Sequence, residues 1–470
     1  MDTSASPASA TKKPGFFINR NFALLWGGQS ISNVGDFVFD TTLVLWIATI
    51  IASGQSWGPL AVSGVLLTTA LPIFLIGPIA GVFVDRWDKR RTMLTMDAAR
   101  AILIGLLLLV AIGKPPAFWQ LSAIYAIVFL ASACAQFFNP ARFTLLGDIV
   151  EEPYRARASG LGQTTQSLAT VIGPPIAAPL LFAVGVQWAL IVNALSFAAS
   201  FLTILAMRVP QASSSAADGQ HGSFFQDFGA GIRFFVGNRV LVTLLITVIL
   251  VTLGIGAINA LGVFFVIQNL HAPASLYGWL DFSVGIGAIA GAIAASIFAS
   301  KIGEVRTFWS CLLAAGISVI AFARMTSLPP GLVFAALAGL SIAPVNVVVG
   351  PLMLHATPRE FLGRATAVLN PVQALASILS ITLAGALAST LLHDFHATVA
   401  GLAFGPFDTI FMGTGILIML GGLYAMVSLR GVTLARADTS EPVATAAARQ
   451  PAAEPETDER PETGASVRQL

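Results

Sequence analysis

Charge is what this chain has least of. Only 10% of its 470 residues are Asp, Glu, Lys or Arg, whereas 56% are apolar. A soluble domain carries roughly a quarter charged residues, so most of this surface meets something other than water. A mean hydropathy of +0.82 points to the hydrocarbon of a lipid bilayer. Cysteine is equally sparse. Cys134 and Cys311 both lie in apolar stretches, which excludes a secreted disulfide framework and the paired spacing of a zinc site. Both read as small packing residues. His393-Asp394-Phe395-His396 offers two histidines and one acid, an incomplete ligand set, so no metal is expected. Nucleophile elbow, phosphate-binding loop and paired histidine–carboxylate cluster are all missing, so no enzyme activity and no cofactor are expected. A net charge of +2 gives no reason to expect a nucleic-acid partner. The first twenty residues lack an apolar core followed by a small-residue cleavage site, so the first apolar segment is expected to stay in the membrane.

What the chain does have is long apolar runs. A helix crossing the hydrocarbon core needs about 20 mostly apolar residues, and such segments fall near 21–51, 58–84, 92–112, 119–140, 158–184 and 188–207 in the first half. In the second half they fall near 239–268, 277–299, 307–325, 330–355, 365–392 and 407–429. Short cytoplasmic loops retain Lys and Arg. Of the 25 basic residues, all but Lys114 and Arg324 in outer loops and Arg100 within a span fall on one side of this map. The reading is an all-α, multi-pass protein of the cell inner membrane with both termini in the cytoplasm. Its parts are a terminus (1–20), a six-helix bundle (21–207), a cytoplasmic linker (208–238), a second six-helix bundle (239–429) and a disordered tail (430–470) rich in Ala, Pro, Glu and Thr.

The linker contains a small-residue polar stretch, Gln211 to Gln220, and then Phe224, Phe225, Phe228, Ile232 and Phe235 near one helical face with Arg233 and Arg239 beside them. That pattern suits a short helix lying on the membrane surface. The two halves also look related. Arg157-Ala158 aligns with Arg364-Ala365, and Gln166, Leu168 and Ala169 with Gln373, Leu375 and Ala376, at one constant offset that also pairs Asn139 with Asn346. Two parallel six-helix repeats related in this way place a binding site between them near the midplane.

The loop after the second span reads Gly77-Pro-Ile-Ala-Gly81-Val-Phe-Val-Asp85-Arg86-Trp87-Asp88-Lys89-Arg90-Arg91. Here the chain resembles the major facilitator superfamily, whose signature between helices two and three is Gly-x-x-x-Asp-Arg-x-Gly-Arg-Arg, with Asp88 in place of the second glycine. Asp97 and Arg100 in the third span, Asn139-Pro140-Ala141-Arg142 after the fourth and Phe361-Leu362-Gly363-Arg364 before the eleventh resemble its macrolide-efflux and siderophore-exporter branch. The resemblance covers roughly residues 16 to 430 and implies twelve helices in two pseudo-symmetric bundles. It also implies an inner gate in which Asp85, supported by Gly81, Arg86, Arg90, Arg91, Asp97, Arg100 and Arg142, meets the helix beginning near Arg364. On physical grounds Gly81 permits close helix approach and Asp85 is an acid at a helix end, able to meet a helix N-terminus or a basic side chain. Gly173-Pro174-Pro175 in the fifth span resembles a degenerate Gly-Pro signature of the family's antiporters, with Ala177 and Ala178 in place of the later glycines.

Ionised residues inside a bilayer usually face a cavity or a partner. Asp36 and Asp40 are four apart on one face of the first span, with Gln29, Ser32 and Asn33 close to that face. Two like charges so close make it favourable for one to carry a proton, and a proton taken up outside and released inside is the expected coupling step. The alternative is that both bond backbone near the outer interface. Asp97 and Arg100, three apart, can pair on one helix, and their place in the cytoplasmic third suggests structural pairing with the basic loop. Asp281 lies one turn into the eighth span, where interfacial solvation explains it as well as proton coupling does. Gln163, Gln166 and Asn370, with Trp26, Trp46 and Phe74, supply the polar and aromatic mixture that suits an amphipathic ligand.

The resemblance implies a monomeric secondary transporter that exports an amphipathic small molecule, drug or macrolide-like, in exchange for protons by alternating access. Export of an endogenous metabolite such as a siderophore, or import, remains open at this stage. A transport-dead receptor would keep the fold without needing Asp36. The map makes one direct prediction: a fluorescent protein fused after Leu470 should fluoresce, while alkaline phosphatase fused at the same point should be inactive. The opposite pattern would invert every loop.

Overall fold

The computed structural model of the chain describes residues 18–208, 237–357, 362–399 and 402–431. Twelve helices in it are long and apolar enough to cross a membrane. The first six are Arg20–Ile51, Gly58–Leu75, Lys89–Gly113, Ala117–Ile149, Glu152–Val184 and Val186–Ala206. The second six are Arg239–Gln268, Ala274–Ile297, Glu304–Ala323, Leu328–Ala356, Val368–Ser389 and Pro406–Ser428. With an even number of crossings, Arg20 and Ser428 lie on one side. Arg86, Lys89, Arg155, Arg208 and Arg239 share that side, which we call the basic face, and the opposite side the far face. The surface-helix expectation for 224–239 and the disordered-tail expectation fall almost wholly outside the described residues.

Several boundaries differ from the sequence map for identifiable reasons. The fourth span runs on through Pro140 to Ile149, so Asn139 and Arg142 lie inside a helix and not after it. Proline removes one backbone bond, and a membrane helix tolerates that where side chains engage the nearby carbonyls. The second span is broken at Ile76, between Pro72 and Pro78, and a separate helix, Gly77–Arg86, carries the signature loop. Asp88, the residue that departs from the family signature, is the N-cap of the third span, its Oδ1 accepting from the Arg91 amide at 2.6 Å. The last far-face loop holds a two-stranded antiparallel hairpin, β1 (Ala397–Val399) and β2 (Leu402–Phe404), that the apolar pattern gave no sign of. Arg324 holds it down, donating to the Ala403 carbonyl at 3.0 Å and to Asp408 at 3.1 Å.

Helix packing repeats between the halves. In the first bundle the first span packs on the fifth and sixth, the second on the fourth, and the third on the fourth and sixth. The same five pairings recur among spans seven to twelve. Even the entry caps correspond. Asn19 caps the first span and reaches the end of the fourth, at the Ile149 carbonyl, at 2.7 Å; Asn238 caps the seventh and reaches the end of the tenth, at the Ala356 carbonyl, at 2.8 Å. The two bundles are two copies of one helical plan.

Between bundles, the second span packs on the eleventh and the fifth on the eighth. Both seams lie toward the far face. Gly385 lies against Ser63 so closely that a Cβ there would collide with the serine side chain, and Gly278 lies against the Pro174 carbonyl in the same way. Small residues are what let membrane helices approach to backbone contact. The Leu60 amide donates to Ser389 Oγ at 3.1 Å across the first seam. Cysteines placed at Leu60 and Ser389, in a background lacking Cys134 and Cys311, should therefore form a disulfide on mild oxidation. After cleavage at a protease site inserted in the 211–220 stretch, the two halves should stay joined on a non-reducing gel. Separate halves would mean the bundles are not closed on this side.

Candidate functional site

The first bundle contains a cavity of about 570 Å³. Its walls come wholly from spans one, three, four and five, and run from Phe22, Leu146 and Ala158 at the basic face inward to Asp36, halfway along the first span. One wall is the polar stripe Gln29, Ser32, Asn33 and Asp36, which the helical period brings to a single face. Gln163 and Gln166 of the fifth span face it. Trp26 ties these two helices together, its indole Nε1 donating to Thr165 Oγ1 at 3.0 Å.

Beneath the cavity lies a chain of polar groups that sequence spacing shows only in part. Asp97 and Arg100 do pair, and Asp97 is 0% exposed. Their further partners lie in the bundle core and not in the basic loop. Ser200 of the sixth span donates to Asp97 Oδ2 at 2.6 Å, and Gln29 Nε2 donates to Ser200 at 2.9 Å. The Arg100 guanidinium lies between the rings of Phe138 and Phe197, 4.5 and 4.4 Å from their centroids. A cation between two aromatic faces gains favourable electrostatics where water is scarce. One more link extends the chain to the cavity wall: Arg142 Nη1 reaches Gln29 Oε1 at 3.5 Å. Spans one, three, four and six are thus joined through buried polar contacts.

The gating set divides. Asp97, Arg100 and Arg142 belong to this network, and the two arginines line the cavity. Arg90 caps the end of the sixth span, donating to the carbonyls of Ile204 and Leu205 at 3.1 and 2.7 Å, a position where positive charge meets the negative end of the helix dipole. Asp85, Arg86 and Arg91 are exposed. A Cβ on Gly81 would meet nothing within 4 Å, so the close approach expected there is not made in this conformation. The Arg364 side chain lies outside what the structure describes. Among the proton and ligand candidates, Asp36, Gln163 and Gln166 line the cavity. Asp40 is exposed one turn farther along the stripe, Asp281 is half-buried beyond Tyr277, and Asn370 is exposed on the eleventh span; none of the three borders the cavity. Gly173 packs against Phe37 of the first span and Pro174 against Gly278 of the eighth, so the Gly-Pro motif sits where the fifth span meets both bundles. Among the described residues no cluster suits a metal ion.

A family model described as "Transmembrane secretion effector" matches residues 14–403. The chain belongs to this family, within the major facilitator superfamily. The transporter is 24% identical over 428 residues to the MFS-type transporter YkuC of Bacillus subtilis, covering 88% of the chain and 93% of that protein. Macrolide efflux protein A of Streptococcus pyogenes is 22% identical over 377 residues (79% of the chain, 90% of the relative). Multidrug efflux pump Tap of Mycobacterium tuberculosis is 25% identical over 387 residues (80% and 88%). Among solved structures, the nucleoside transporter NupG superposes with a TM-score of 0.66 at 12% identity, covering 88% of this chain and all of that one, which establishes the shared fold.

Removing one partner of a buried ion pair leaves an uncompensated charge and costs about 3–5 kcal/mol. Asp97→Ala should lower the thermal midpoint of the purified transporter sharply, and Arg100→Gln should do the same. The double variant should fall well short of the sum. Strict additivity would show that the two side chains do not stabilise each other.

Proposed function

We propose that this transporter exports an amphipathic small molecule in exchange for protons, with the basic face in the cytoplasm, and that the structure represents its inward-open state. One observation carries the reading. A cavity with polar and aromatic walls runs from the basic face to an acid at mid-membrane, while the two seams between the bundles lie toward the far face. Loaded from the cytoplasm, such a site discharges on the other side only if the seams part and the basic face closes. Two bundles that share one plan can make that exchange by rocking. The efflux functions printed for the relatives from Streptococcus and Mycobacterium support the outward direction, and the location of the basic residues supports the orientation.

Asp36 is the residue we assign to proton coupling. It lines the cavity, lies in the field of Asp97 and Arg100, and forms no hydrogen bond or ion pair among the described residues. An acid in that position is free to exchange its proton with cavity water. Asp85 is the residue we assign to the closing latch: a carboxylate exposed on the open face is available to a partner in the other bundle when that face shuts.

The test uses everted membrane vesicles with an imposed proton gradient and, as cargo, a macrolide and fluorescent amphipathic dyes of acidic, neutral and basic character. Asp36→Asn should reduce gradient-driven accumulation at least tenfold while leaving exchange of labelled for unlabelled cargo intact. Accumulation at the wild-type rate would remove Asp36 from the proton path, and accumulation in right-side-out vesicles would reverse the direction.

A further inference from the structure

Among the described charged groups of the network beneath the cavity, Asp97 and Arg100 have an opposite charge beside them and Arg142 does not. Asp97 binds Arg100 and Ser200, and Ser200 binds Gln29. Arg142 has only the 3.5 Å contact to Gln29, a neutral amide, and no carboxylate lies within ion-pair distance of it among the described residues. A full positive charge thus lines a cavity that runs into the bundle, with one neutral amide and no carboxylate beside it. Charges kept inside a membrane on such terms mark the place of an ionic partner. Asp36 does not fill that role in this conformation. It lies seven residues beyond Gln29, about 10 Å farther along the first span at 1.5 Å per residue.

We infer that the cavity binds its substrate through a carboxylate held by the Arg142 guanidinium. The inference rests on the exporter reading and narrows its substrate to acidic amphipaths. A guanidinium presents paired donors that match the two oxygens of a carboxylate. A single uncompensated cation neutralises a monoanion, whereas a phosphate monoester, with a charge nearer −2, would leave charge in excess. The remainder of the ligand has apolar surface to lie on, with Trp26 of the first span and Phe143 of the fourth lining the same cavity as Arg142. The Arg100 guanidinium does not compete for the carboxylate, because Asp97 already engages it.

The test measures binding of dansyl-phenylalanine and of its methyl ester to the purified transporter in lipid nanodiscs, by energy transfer from tryptophan with empty discs subtracted. The two probes differ in the carboxylate alone. Wild type should bind the acid at least tenfold more tightly than the ester. Arg142→Gln should bring the acid down to the ester's affinity and leave the ester unchanged, which also shows that the variant is folded. Arg142→Lys should fall between. Equal binding of the two probes by wild type, preference for an amine-bearing amphipath, or no binding of either probe would each overturn the inference. So would an equal loss of both probes in Arg142→Gln, the result expected if the guanidinium serves packing or a lipid phosphate. These outcomes concern ligand charge alone. If vesicles still export cargo under a proton gradient while the probes show no preference for the acid, the inference fails and the exporter reading stands; if nothing is exported, the exporter reading fails on its own test.

Discussion

A charge inside a bilayer must be paired or wetted, and this protein applies both solutions side by side. Asp97 and Arg100 are paired with each other, Arg100 lies against the rings of Phe138 and Phe197, and Asp97 is tied through Ser200 and Gln29 to two other spans. Asp36 and Arg142 face the cavity with no opposite charge in ion-pair contact among the described residues. The first pair fixes how the helices of the first bundle lie against one another; the second pair can respond to what enters. Rigidity and responsiveness are adjacent because one polar chain ends in the other.

The same constraint explains the seams. Helices in lipid gain nothing from burying apolar side chains, which are no better off against each other than against acyl chains. The bundles are joined where glycine lets backbone meet backbone or side chain, at Gly278 on Pro174 and Gly385 on Ser63. A seam built on close approach over short stretches is specific yet separable, which suits the rocking proposed above. The Gly173-Pro174 pair serves both sides of that need, since the first of these residues packs within its own bundle and the second against the other.

Much of this was legible in the sequence. Twelve apolar runs marked the twelve helices, because the hydropathy that suits a helix to a bilayer is a local property. Asp97 and Arg100 announced their pairing by spacing, and the polar stripe of the first span by period. Other features lay beyond reach. The partner of Asp97 is Ser200, more than 100 residues away, and nothing in either segment points to the other. Pro140 reads as a helix end, yet the helix continues, and Arg142 therefore lies on the wall of the cavity and not in a loop beside the gate. Asp88 looked like a lost glycine and is a helix cap. Asp97 needed a tertiary contact to reveal its partner, whereas Pro140 and Asp88 needed only the local backbone geometry.

The central claim is that one cavity is reached first from the basic face and then from the far face. Cysteine substituted for Ser159, at the cavity mouth, with Cys134 and Cys311 replaced, allows this to be measured with a membrane-impermeant thiol reagent in vesicles of both orientations. Without cargo or a gradient, labelling should be fast in everted vesicles and at background in right-side-out vesicles; cargo and a gradient should raise labelling from the far side, and cross-linking Leu60→Cys to Ser389→Cys should abolish that rise. Fast labelling from the far side with the cross-link in place would contradict the account.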